Sequence, residues 1–170
     1  MSEPAPTLVN DELPARGRLI AVDVGGARVG LALCDADRLV VSPLETLYRK
    51  NLEFDGQFFK RIIKAEEPVG FVVGLPIHMS GEENPQTEKS RKYGAWLRAR
   101  TGLPVAFYDE RCTSAAAESI LWDAGLTHAK RKARQDQVAA MLFLQSYLDA
   151  QQLKLPPAPP ADPDPEAESP

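Results

Sequence analysis

Residues 18–35 read RLIAVDVGGARVGLALCD: two short, mostly apolar runs, 18–24 and 29–35, joined by Gly25-Gly26-Ala27-Arg28. The joining tetrad has hairpin length, so the runs are expected to pair as antiparallel strands. A third strand follows at 39–47 and completes a meander. Outward from this unit the pattern changes. Residues 54–64 place Phe54, Phe58, Phe59, Ile62 and Ile63 at the spacing of an amphipathic helix face. After Pro68, residues 69–74 (VGFVVG) are almost wholly apolar, as a strand buried on both sides would be.

The second half alternates in the same way. Residues 84–100 predict a helix with Trp96 and Leu97 turned inward and Gly102 as its C-cap. Residues 104–109 (PVAFYD) predict a strand, and Thr113 and Ser114 can cap a helix running through Leu121 and Trp122. A basic loop, 125–134, is expected before a last helix over 135–151. That helix carries no charge from Val138 to Leu148 and is apolar all the way round, so it is expected to be buried. The order β-β-β-α-β-α-β-α-α predicts an α/β domain of ribonuclease H-like layout. Its mixed five-stranded sheet has an antiparallel three-strand meander plus two parallel strands and is flanked by helices.

Length and composition narrow the function. A chain of 170 residues fits one domain, which argues against a two-domain nucleotide enzyme. No apolar run approaches the roughly 18 to 20 residues that cross a bilayer, so no membrane partner is expected. The start, MSEPAPTLVNDELPARG, lacks a basic segment followed by an apolar one, so a cytoplasmic location is expected. Two cysteines, Cys34 and Cys112, and two histidines exclude a disulfide framework and a Cys/His zinc site, leaving oxygen to hold any metal. The formal net charge of −4 arises at the acidic ends, while Lys130, Arg131, Lys132 and Arg134 form a basic cluster, so a polyanionic partner stays compatible with the composition. The proline-rich ends, 1–17 and 151–170, read as disordered tails around a core of 18–150.

Three acids stand out by position. Asp23 interrupts an apolar strand just before the glycine turn, where it could shape the turn or meet a ligand. Glu110, with Asp109 beside it, follows the last strand. Asp136 lies at the start of the last helix, in line with Ala140, Phe143 and Tyr147, and could cap that helix or face a site. If the later strands run parallel to the first, these acids open at one edge of the sheet. Converging carboxylates repel unless a divalent ion bridges them, and Mg²⁺ or Mn²⁺ prefers such oxygen ligands.

Four segments, Asp23-Val-Gly-Gly-Ala-Arg-Val-Gly30, Val-Val-Gly-Leu-Pro76 with Met79-Ser80-Gly81, Asp109-Glu110-Arg111 with Thr113, and Asp136-Gln-Val-Ala-Ala140, resemble in order and spacing the YqgF/RuvX family. These are bacterial ribonuclease H-like nucleases described as Holliday junction resolvases and pre-16S rRNA nucleases. The resemblance covers about 18–150. It implies that Asp23, Glu110 and Asp136 are the metal-binding catalytic acids, with Asp109 a helper or substitute, and that Arg28 and Arg111 face substrate phosphate. Gly26 and Ala27 replace the family's hydroxyl and basic residues, and His78 stands where Asn is common.

The expectation is therefore a Mg²⁺- or Mn²⁺-dependent nuclease in which water attacks the phosphodiester and Lys130, Arg131, Lys132 and Arg134 hold phosphates at the rim. Processing of the 5′ end of pre-16S rRNA is favoured, with a junction resolvase on structured DNA and a non-catalytic nucleic-acid-binding module as alternatives. An actin-like or sugar-kinase ATPase reading of the glycine turn is opposed by size. The sequence leaves the oligomeric state open; resolving a junction by paired cuts would require a homodimer.

Overall fold

The computed structural model describes residues 10–78, 80–109 and 127–154. Strands β1 (Leu19–Val24), β2 (Arg28–Cys34) and β3 (Val41–Tyr48) form the meander, followed by α1 (Leu52–Glu66), β4 (Gly70–Leu75), α2 (Pro85–Thr101), β5 (Val105–Asp109) and α3 (His128–Lys154). The helix expected after Thr113 lies outside the described residues. Sheet order is β3-β2-β1-β4-β5, with β1, β2 and β3 antiparallel in turn and β4 and β5 added parallel to β1. The mixed five-stranded sheet expected from the sequence is thus present, and β1, β4 and β5 end at one edge.

Strand alternation gives the sheet two unlike faces. Ile20, Val22, Val29, Leu31, Phe71 and Val73 turn toward α1 and α2, where Phe59, Tyr93 and Leu97 fill the core. Phe59 meets Phe71 edge-on at 5.8 Å between ring centroids, a favoured aromatic geometry. Leu19, Ala21, Ala32, Val72 and Ala106 turn the other way, toward Ala140, Phe143 and Leu144 of α3. Alanine on both partners lets that helix approach closely.

Local chemistry sets the helix ends. Asn51 caps α1 by accepting from the Phe54 amide at 2.8 Å. Asn84 and Thr87 form a capping box at α2 with Pro85 in the first turn, and Gly102 closes the helix at φ +72, donating to the Arg98 carbonyl at 2.9 Å.

Three expectations change. The basic residues 130–134 are not a loop: α3 begins at His128, because Ala, Lys and Arg are strong helix formers and a charge run carries no apolar period to reveal them. Nor is α3 buried all round. Phe143, Leu144, Tyr147 and Leu148 are buried, while Met141, Leu142 and Ser146 are half-buried and Gln145 is exposed. The stretch 10–17, read as tail, is held by the core. The Phe107 amide donates to Asn10 Oδ1 at 2.9 Å, and the Asp11 amide donates to the Val105 carbonyl at 3.0 Å. Leu13 packs with the α3-side core.

Candidate active site

Asp23 sits in β1 directly opposite Gly30 of β2, and Gly30 is in turn directly opposite Thr46 of β3. Residues opposite each other in antiparallel ladders share a face. Asp23 has the parity of Leu19 and Ala21, so the row Asp23–Gly30–Thr46 lies on the α3 side. The turn follows only after Val24, closed by the Gly25 amide donating to the Arg28 carbonyl at 2.8 Å. Asp23 is therefore a strand residue rather than a turn former.

Helix α3 crosses this row. A Cβ on Gly30 would stand 2.6 Å from Asp136 Cβ and closer still to the Asp136 carbonyl group, so only glycine lets the helix backbone settle there. Cross-strand Cβ positions are about 5 Å apart, which puts the Asp23 and Asp136 side chains within about 8 Å of each other at Cβ. Asp136 is the ninth residue of α3, two turns past its start, so it caps nothing. Thr46 locks the crossing: its Oγ1 donates to the Ala133 carbonyl at 3.0 Å and accepts from Gln137 Nε2 at 2.9 Å. The β2–β3 register shifts between Gly30 and Ala32, a bulge beside the site.

Arg28 shares this face and donates from Nε to Asp136 Oδ2 at 2.8 Å, with the two side chains 29% and 25% exposed. The arginine expected to face phosphate thus has a carboxylate partner in this structure. Lys130, Lys132 and Arg134 are exposed on the first turns of α3 and Arg131 is half-buried. Cations here oppose the helix dipole, and an incoming anion would offset that cost.

On the opposite face the turn is held by a pair that sequence reasoning missed, its carboxylate buried and its arginine 27% exposed. Arg49 donates from Nε to Asp55 Oδ2 at 3.1 Å and from Nη1 to the Gly25 carbonyl at 3.2 Å, while its amide donates to the Ala27 carbonyl at 2.9 Å. Tyr93 donates to the same Asp55 oxygen at 3.2 Å, and Asp55 is 0% exposed. Burial first, and the Asp55 charge next, push the Tyr93 phenol far above its ordinary value. Gln86 Nε2 adds a bond to the Val24 carbonyl at 2.7 Å.

Of the remaining candidates, Asp109 ends β5 level with Leu75 and has the parity of Val105 and Phe107, the face opposite Asp23. Glu110 and Arg111 lie outside the described residues, as do Cys112 and Trp122. His78 is exposed, and Trp96 packs on Tyr93 with centroids 5.0 Å apart, a core role. Among the described residues no group of three or more His, Cys, Asp and Glu side chains could hold a metal ion, and no helix is long and apolar enough to cross a membrane.

Comparison with known proteins adds the lineage. The sequence model of a family described as RuvX, Holliday junction resolvase, matches residues 17–150. A protein of Rhodopirellula baltica named as a candidate pre-16S rRNA nuclease is 44% identical over 144 residues, covering 85% of this chain and 83% of its own. One of Lactococcus lactis with the same name is 42% identical, covering 81% and 98%. The fowlpox virus resolvase, solved with Holliday junction DNA, superposes with a TM-score of 0.51 at 8% identity over 79% of this chain and 98% of its own, a likeness of fold alone.

Proposed function

The chain belongs to the RuvX family, and from that premise we propose that it is a divalent-metal-dependent nuclease that hydrolyses phosphodiester bonds in processing the 5′ end of pre-16S rRNA in the cytoplasm. The observation that carries this reading is the approach of Asp136 to Gly30, which sets two carboxylates from distant parts of the chain on one face at the edge where β1 ends.

The residues present suit a hard cation. Asp23 and Asp136 offer anionic oxygen and no sulfur or imidazole, the donor chemistry that Mg²⁺ and Mn²⁺ prefer. Glu110 is the proposed third member, chosen over Asp109 because Asp109 falls on the other face of β5. Bound there, the metal would supply an activated water and stabilise charge on the leaving oxygen.

The protein's own groups do the positioning. Arg28 holds Asp136 in the site and is close enough to the row to exchange that carboxylate for a substrate phosphate. Lys130, Arg131, Lys132 and Arg134, together with Arg111, are assigned to substrate phosphates, so affinity is expected to fall steeply with salt. Thr46 and Gln137 keep α3 from sliding and so keep Asp136 in register with Asp23.

A junction-resolving activity is the second reading, favoured by the family's description. Both are tested by incubating the protein with a pre-16S rRNA fragment and a four-way DNA junction, each with Mg²⁺, Mn²⁺ or EDTA. Metal-dependent cleavage of the rRNA fragment is expected, and Asp23→Asn should reduce it by about 10²- to 10³-fold while leaving the fold intact. Wild-type turnover by Asp23→Asn would overturn the assignment, and binding without any cleavage would leave a silent module.

A further inference from the structure

An exposed aromatic ring stands beside the row that carries Asp23. Tyr48, the last residue of β3, lies directly opposite Arg28 in the β2–β3 ladder, so its side chain leaves the sheet on the α3 face next to the arginine that holds Asp136. Tyr48 is 59% exposed, whereas Leu47 before it points to the other core and is 1% exposed. The ring thus contributes little burial to the fold, although it sits at the rim of the site.

Cations lie on the elements beside it. Arg28 is across the ladder, and Lys130, Lys132 and Arg134 are exposed on the turns of α3 that Thr46 ties to β3, two residues before Tyr48. One ligand chemistry matches an exposed π face with an arginine across the ladder and exposed cations on the neighbouring helix: a nucleic-acid strand with unpaired bases, its phosphates on the cations and a base on the ring. A duplex keeps its bases stacked on one another and offers this ring nothing comparable. A second copy of this chain is a poorer occupant, because a two-fold contact here would set one cationic cluster against the other.

We propose that Tyr48 is a stacking platform for an unpaired base next to the cleaved phosphate, so that the site selects single-stranded segments. The inference rests on the nuclease reading and deepens it.

The test measures binding by fluorescence anisotropy, with calcium replacing magnesium, to a single-stranded oligoribonucleotide and to the fully paired duplex of the same sequence. Tyr48→Ala should weaken single-strand binding by roughly 5- to 100-fold, and duplex binding should not change. Tyr48→Phe and Tyr48→Trp should keep single-strand binding near wild type, because stacking needs the ring and not the hydroxyl. Equal single-strand binding by wild type and Tyr48→Ala overturns the inference alone, as does an equal loss on both ligands. A Tyr48→Ala protein that binds as wild type but loses self-association in sedimentation equilibrium overturns it in favour of a second copy. A wild-type protein that binds neither oligonucleotide overturns the nuclease reading and the inference with it.

Discussion

On one face of the sheet Arg49, 27% exposed, meets a fully buried Asp55 at 3.1 Å; on the other Arg28 meets Asp136 at 2.8 Å with both side chains about a quarter exposed. Both pairs flank the same Gly25–Arg28 turn. The pair with the buried carboxylate reaches the turn through the Gly25 and Ala27 carbonyls, and Asp55 Oδ2 accepts a further bond from Tyr93, so it fixes the backbone between Asp23 and Arg28. The open pair involves a carboxylate of the proposed site and, on that reading, exchanges partners with solvent, metal or phosphate. Burial of the carboxylate separates a scaffold from a proposed working part, although the residue types are the same and the two arginines are about equally exposed.

That contrast can be broken by substitution. Arg49→Ala leaves Asp55 as a buried carboxylate without its cation and should cost about 3–5 kcal/mol of stability, read by urea unfolding. Arg28→Ala breaks a pair that water can reach and should cost about 1 kcal/mol or less. Equal losses would mean that exposure does not distinguish the two. Gly30→Ala falls between them. Its methyl would overlap the backbone of Asp136, so α3 must shift, at about 1–3 kcal/mol and with a larger loss of cleavage than of stability. A Gly30→Ala protein with wild-type turnover would show that the Asp23–Asp136 spacing is not critical.

The smallest effect concerns the α3 side far from the turn. Tyr147 is buried edge-on against Tyr108 at 5.8 Å, and burial pushes its phenol above the ordinary value. The folded state therefore resists ionisation that the unfolded chain undergoes from about pH 10. Its contribution is intact below that pH and is lost as pH rises further. Tyr147→Phe, which cannot ionise, should lose less stability than wild type between pH 7 and pH 11 in paired urea titrations, and equal losses would refute the assignment.

What could be read from the sequence follows from what is local. The β1–β2 hairpin, with Asp23 as the one acid of its strands, shows directly in the two apolar runs and the glycine turn between them, and Asp136 stands out because it precedes an uncharged run. The start of α3 was hidden because basic residues give no hydrophobic period. The Arg28–Asp136 pair joins residues 108 apart in the chain, and nothing local specifies it. Thr46 and Gln137 look like ordinary polar residues until the helix is laid across the strand. Asp55 had a signal that was passed over: it shares a helical face with Phe59 and Ile62, and an acid on an otherwise buried face requires a partner.

The account turns on Asp23 and Asp136 acting together as oxygen ligands. Calorimetric titration of Mn²⁺ into wild type, Asp23→Asn and Asp136→Asn, with no nucleic acid present, tests this most directly. Saturable binding by wild type and its loss in both variants, with unchanged circular dichroism, is the predicted result. Mn²⁺ binding of undiminished affinity in both variants would contradict it.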